Sequence, residues 1–245
     1  MIRARSGLAF VFLICISACL GAPERTCIDG VTYHILKVSP DRIRLLWKGD
    51  DGKPLQIFPA AATYLKRRGM EPEVLMNGGI FEPGGTPSGL LVENGEETNP
   101  VNRNQGRGNF FLQPNGIFQI SDKGAAVIRT DEYPLKNVLV REAVQSRPLL
   151  LRSGIVHPAF DANSTSKLHR NGIGVTKAGE VVLAMTDFDS FQVVNLFNFA
   201  QLFKSLGCDD ALYLDGTISQ MRAGSGTGTP SNRFGSILAV VKAGN

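Results

Sequence analysis

Cysteine and histidine are scarce in this sequence, and that scarcity removes several kinds of chemistry at once. Four cysteines and three histidines occur in 245 residues, and no CxxC spacing is present, so a zinc site of that type is excluded. His34, His157 and His169 stand too far apart along the chain to suggest a metal centre. Runs of like charge are also missing. Lys and Arg total 26 against 22 Asp and Glu, but the basic residues are scattered, and no nucleic-acid partner is implied. No uninterrupted apolar run reaches the ~20 residues of a membrane-spanning helix. Tryptophan occurs once, at Trp47, and reads as core. There is no internal repeat, and no Pro/Ser linker divides the chain. Glycine, by contrast, is abundant: 27 residues, about 11%, against a usual ~7% and without a Gly-X-Y period. That surplus points to many tight turns between short strands.

Residues 1–18 read as a signal peptide. Arg3 and Arg5 form a basic start, Leu8 to Ile16 is a short apolar run, and Ile16-Ser17-Ala18-Cys19 resembles a bacterial lipobox with Cys19 as the lipidated residue. The expectation is an exported protein, periplasmic or in the cell envelope, touching the membrane only through a lipid anchor. Cys15 leaves with the signal. Cys27 and Cys208 then remain in an oxidising compartment, either as a disulfide or as a buried Cys208 thiol with Cys27 exposed.

Strand-like runs fall at Val31 to Val38, Arg42 to Lys48, Val74 to Met76, Ala125 to Arg129, Leu149 to Leu151, Ile173 to Val175, Glu180 to Met185, Ala211 to Leu214 and Ser236 to Val241. Two hairpins are predicted. In one, Leu90 to Glu93 turns at Asn94-Gly95; in the other, Phe110 to Gln113 turns at Pro114-Asn115-Gly116 into Ile117 to Ile120. Pro59 to Arg68 and Asn195 to Leu206 read as helices, each followed by glycine, and the second has Asn195 as its N-cap. The fold class is therefore α+β: a single mixed domain with central multi-stranded sheets, β-hairpins and a few packed helices.

Polar or glycine-rich residues follow apolar strands at Asn77-Gly78-Gly79-Ile80-Phe81-Glu82, at Thr186-Asp187 and at Asp215-Gly216-Thr217-Ile218-Ser219. His169-Arg170-Asn171-Gly172 precedes a strand. Strand ends are where sheet proteins commonly display reactive groups. Each motif taken singly also has a plainer reading as a turn, a cap or a surface ion pair. Ala223 to Pro230 is glycine-rich but lacks the Gly-Lys-Ser/Thr ending of a phosphate-cradling loop.

Taken together the motifs resemble the phosphodiester glycosidase family. The resemblance rests on Asn77-Gly78-Gly79-Ile80-Phe81, Pro87-Ser88-Gly89-Leu90, Ser146-Arg147-Pro148-Leu149-Leu150, Arg170-Asn171-Gly172-Ile173-Gly174-Val175 and Cys208 to Gly216, in that order. It implies a phosphodiester glycosidase domain over 73–245, with 19–72 supplying N-terminal strands and a helix of the same domain. One departure stands out. The familiar Asp-Gly-Gly-Gly-Ser-Ser ending is here Asp215-Gly216-Thr217-Ile218-Ser219-Gln220, and Ile218 does not easily take the positive φ open to glycine.

The implied reaction is hydrolysis of a sugar joined through its anomeric carbon to a phosphodiester. The leaving phosphate is already a good anion, so a carboxylate at the anomeric centre matters more than a strong general acid. Asp215 is the first candidate for that carboxylate, Asp187 the second and Glu82 the third. Arg170 suits the phosphate because its planar fork grips two oxygens. Asn77, Gly78, Gly216 and Ser219 are candidates for orienting sugar or phosphate. No cofactor or metal is implied, and the partner is a sugar-phosphate or glycan substrate. Two other classes remain open: a non-catalytic glycan-binding lipoprotein, and a phosphodiesterase cleaving P–O.

Overall fold

The structure is a computed structural model that describes residues 22–104, 113–187, 189–223 and 233–244. The signal sequence, Cys19, the Phe110 to Leu112 arm of the second predicted hairpin and the 224–230 glycine-rich stretch lie outside the described residues. In chain order come β1 (Glu24–Ile28), β2 (Val31–Val38), β3 (Ile43–Leu46), α1 (Phe58–Arg67), β4 (Pro72–Asn77), β5 (Phe81–Glu82), β6 (Thr86–Pro87), β7 (Leu91–Glu93) and β8 (Glu96–Asn99). The second half holds β9 (Gly116–Ser121), β10 (Gly124–Arg129), β11 (Val140–Ser146), β12 (Leu149–Arg152), β13 (Ile155–Val156), β14 (Asn171–Thr176), β15 (Val181–Thr186), α2 (Leu196–Ser205), β16 (Cys208–Asp215), β17 (Met221–Ala223) and β18 (Ile237–Val241).

These strands build a seven-stranded sheet in the order β1-β2-β15-β14-β16-β12-β13, a five-stranded sheet β10-β9-β11-β7-β8, a four-stranded sheet β17-β4-β18-β3 and the small β5-β6 hairpin. All strand pairs among the described residues are antiparallel. Strand dominates, so the α+β expectation holds only in outline: among the described residues two α-helices accompany the sheets. The first hairpin closes at Asn94-Gly95 as expected, with both residues at positive φ. The second expectation needs revision in its described half, because β9 pairs with β10 and β11.

A central core lies between the sheets and draws residues from all three, including Leu36, Val74, Met76, Phe118, Val144, Ile173, Leu183, Leu212 and Leu238. Alternate residues of the same strands face outward to a helix. Val182, Ala184, Ala211 and Tyr213 meet Phe199, Ala200 and Phe203 of α2. Leu75, Ile237, Ala239 and Val241 meet Phe58, Ala61, Ala62 and Leu65 of α1. Burial on both faces explains why β15 and β18 read as unbroken apolar runs instead of alternating ones. Gly172 and Gly174 make the seat for α2. A Cβ at either would come within 3.1 Å of Phe203, and at Gly174 within 2.7 Å of the Cys208 sulfur. Asn195 caps α2, its side chain accepting from the Asn198 N–H at 2.8 Å, and Gly207 follows at φ +85. Each buried aromatic on α2 contributes roughly 1.5–3 kcal/mol.

Of the two alternatives for Cys27 and Cys208, the structure shows the free thiols, the first exposed and the second buried. Cys27 lies on edge strand β1, and β2, β15 and β14 separate it from β16. At ~4.8 Å per strand step that is about 19 Å, far beyond the ~7 Å Cα separation a disulfide tolerates.

Candidate active site

Antiparallel pairing brings the end of β15, the start of β14 and the end of β16 to one edge of the seven-stranded sheet. The end of β4, in the four-stranded sheet, lies over them. At this junction Asn77 Nδ2 donates to Asp215 Oδ2 at 2.9 Å, and the Gly216 N–H donates to Oδ1 at 2.7 Å. Among the described residues, no cationic side chain is among the groups that set the state of Asp215. Burial pushes its carboxyl up to about 6, against the opposing pull of the Gly216 N–H and the Asn77 amide.

A bulge aims this carboxylate. Gly172 pairs with Tyr213, but the next residue, Asn171, pairs with Asp215, skipping Leu214. Regular pairing would have set Leu214 opposite Asn171 and turned Asp215 to the other face. The Ser146-Arg147-Pro148 segment supports the bulge. Ser146 Oγ donates to the Leu214 carbonyl at 3.1 Å, and the Tyr213 N–H donates to the Pro148 carbonyl at 3.1 Å.

Asn77 is wholly buried, and its amide orientation is fixed by its neighbours. Its Oδ1 accepts from the Gln220 N–H at 2.9 Å and from Asn171 Nδ2 at 2.9 Å. Nδ2 is therefore the end that faces Asp215. Asn171 Nδ2 also reaches the Asn77 main-chain carbonyl at 2.9 Å. The Asn171 Oδ1 atom is buried and has no donor among the described residues. Asn77 thus holds the carboxylate, a more specific role than orienting sugar or phosphate.

The turn after Asp215 resolves the Ile218 question. The Ser219 N–H donates to the Gly216 carbonyl at 2.8 Å, and neither Thr217 nor Ile218 has positive φ, so Thr217 and Ile218 fit a turn that demands no glycine at its centre. Gly216 is required for space: a Cβ there would lie 2.7 Å from the Tyr213 hydroxyl. Ser219 Oγ donates to the Gly216 carbonyl at 2.6 Å and the Asp215 carbonyl at 3.1 Å, and the Gly78 N–H donates to the Ser236 carbonyl at 2.9 Å. Gly78 and Ser219 therefore spend these donors within the fold.

The other two carboxylates sit in different company. Asp187 is 2% exposed; its Oδ2 accepts from Arg25 Nε at 2.7 Å, and its Oδ1 accepts from the Asp189 N–H at 3.0 Å. Burial alone would raise its carboxyl, but hydrogen bonds from Arg25 and Ser190 and the nearby His34 hold it down at about 2. Asp187 is a loop cap in an ion pair. Glu82 is exposed and accepts from Ser88 Oγ at 2.7 Å.

Arg170 is 2% exposed and grips the chain's own loops. Nε donates to the Val194 carbonyl at 2.7 Å and Nη2 to the Ser166 carbonyl at 3.1 Å. Its guanidinium lies 5.4 Å from the Tyr213 ring centre, and burial lowers its proton affinity while Tyr213 supports the charge. Part of it borders a cleft of about 170 Å³ with Phe160, Ser164 and Ser166. Two arms of the fork are thus committed to backbone carbonyls. Asn171 and Tyr213 are the site residues that sequence reading missed. Asn171 lay inside a noted motif, and the signal was a polar residue opening a strand otherwise apolar enough to be buried.

The sequence profile of the phosphodiester glycosidase family matches residues 70–240. The chain belongs to that family. It is 32% identical over 194 residues to the Escherichia coli K12 protein YigE, covering 78% of this chain and 74% of that one. Among solved structures, the fold is similar to the catalytic domain of zebrafish N-acetylglucosamine-1-phosphodiester alpha-N-acetylglucosaminidase, auto-inhibited by its pro-peptide. The TM-score is 0.65 at 18% identity, over 90% of this chain and 82% of that chain. A Synechocystis protein shares the fold at TM-score 0.53 and 14% identity, over 89% of this chain and 61% of that one.

Proposed function

We propose that this protein is an exported, lipid-anchored hydrolase that cleaves the glycosidic bond of a sugar-1-phosphodiester in an envelope or extracellular glycan. The observation that carries the reading is Asp215: a buried carboxyl held by the Asn77 amide and the Gly216 N–H, with no cation beside it among the described residues, raised to about 6. Such a group is ionised at neutral pH yet poorly solvated, the state that best opposes positive charge developing at an anomeric carbon. The phosphate leaves as an anion and needs little protonation. One available carboxylate therefore suffices, and Asp187 is free to remain in its ion pair. Arg170 adds positive potential beside Tyr213 for the departing phosphate. The family profile and the zebrafish enzyme's fold support the same substrate class.

Incubation with a sugar-1-phosphodiester in oxygen-18 water tests the reading. Label in the released sugar supports C–O cleavage. Label in the phosphate makes the protein a phosphodiesterase, and binding without products makes it a glycan-binding lipoprotein. Palmitate labelling that disappears in Cys19→Ala tests the anchor.

A further inference from the structure

We propose that Asn171 is a positioning residue of this site, locking the Asn77 amide in the one orientation that presents a donor to Asp215. The inference rests on reading Asp215 as the reacting carboxylate. Three contacts carry it. Asn171 Nδ2 donates to both oxygens of Asn77, at 2.9 Å each, and Asn77 Nδ2 in turn donates to Asp215 at 2.9 Å. Turned over, the Asn171 amide would set its oxygen against two acceptors, so its own orientation is as fixed as that of Asn77.

Asn171 therefore spends both Nδ2 protons on Asn77, one on its main-chain carbonyl and one on its side-chain oxygen. The bulge that skips Leu214 sets Asn171 and Asp215 opposite each other in one cross-strand row. The two amides and the carboxylate thus form a chain across two sheets. Without the Asn171 donor, Asn77 Oδ1 keeps the Gln220 N–H but loses its second donor, and the amide is held less firmly against Asp215.

The test is the titration of the Asp215 carboxyl, followed by carbon-13 NMR in full-length protein with labelled aspartate and assigned by its absence in Asp215→Asn. In Asn171→Ala the midpoint moves upward, because the carboxylate loses part of its donor, by at least half a unit or about threefold in proton affinity. If the substrate reading is right, the pH profile of kcat moves with it while KM stays near the wild-type value. Absence of turnover in every variant, wild type included, defeats the substrate reading and leaves the titration to decide the role of Asn171. An unchanged midpoint in folded Asn171→Ala overturns the proposal. If that variant does not fold, Asn171→Ser is titrated in its place, and failure of both to fold assigns Asn171 to structure and overturns it equally.

Discussion

Asp187 and Asp215 look alike in sequence and behave oppositely in the fold. Both follow buried apolar strands of the same sheet, and both arrive at the same edge. Asp187 meets Arg25, Ser190 and His34 and is held down at about 2; Asp215 meets an amide and one N–H and is pushed up to about 6. Desolvation acts on both. At Asp187 the Arg25 bond, the Ser190 hydrogen bonds and the nearby His34 together outweigh it; at Asp215 the Gly216 N–H and the Asn77 amide do not. A strand-end carboxylate is therefore held down or raised according to which residues the neighbouring strands bring, and Arg25 comes from the distant strand β1.

The sharpest way to break the comparison is to exchange the charges. Asp215→Asn should reduce kcat by roughly 10²–10⁴-fold, measured on a sugar-1-phosphodiester, while circular dichroism shows an intact fold. Normal turnover would remove Asp215 from the chemistry. The wild-type rate, with Asp215 acting ionised, should rise about tenfold per unit below pH 6 and level off above it. A rate that falls through that range would make Asp215 an acid.

Stability should follow the same contrast. Asp215 and Glu142, the latter raised to about 7 chiefly by burial, bind protons more tightly folded than unfolded. Their contribution is fully present below the unfolded value near 4 and is lost as pH rises through 6 and 7. Melting temperature should fall from pH 5 to pH 8, and less steeply in Glu142→Gln, where about 1–3 kcal/mol is at stake. An equal slope in that variant would show that folding does not raise the Glu142 carboxyl. Asp187 has the opposite sign: its contribution is present above pH 4 and lost as pH falls toward 2. Asp187→Asn should lower stability by only about 1 kcal/mol, since Arg25 is largely exposed. It should leave the kcat profile unmoved, and a shifted profile would return Asp187 to the site.

Much of the scaffold was legible from local pattern. Apolar spacing with Asn195 before it and Gly207 after it marks α2, and Asn94-Gly95 marks a hairpin, because capping and turn geometry depend on neighbours in sequence. Strand β11 was not legible. It carries Glu142, Gln145 and Ser146 buried among Ala143 and Val144, and polar residues hide a strand whose partners satisfy them from elsewhere. Glu142 illustrates this: its carboxylate accepts from the Leu45 N–H at 3.0 Å, across from the four-stranded sheet.

Scarcity of cysteine and histidine was a property of the sequence alone, and it removed CxxC zinc chemistry before any strand was placed. The same sequence left open what Cys27 and Cys208 do; the order of strands decided it by holding them three strands apart. Asp215 was likewise marked by its motif. Its orientation, its partner Asn77 from another sheet and its unpaired charge came from tertiary structure. Motifs fix which groups are present, because residue identity is local; proton affinity depends on distance and solvent, which only packing sets.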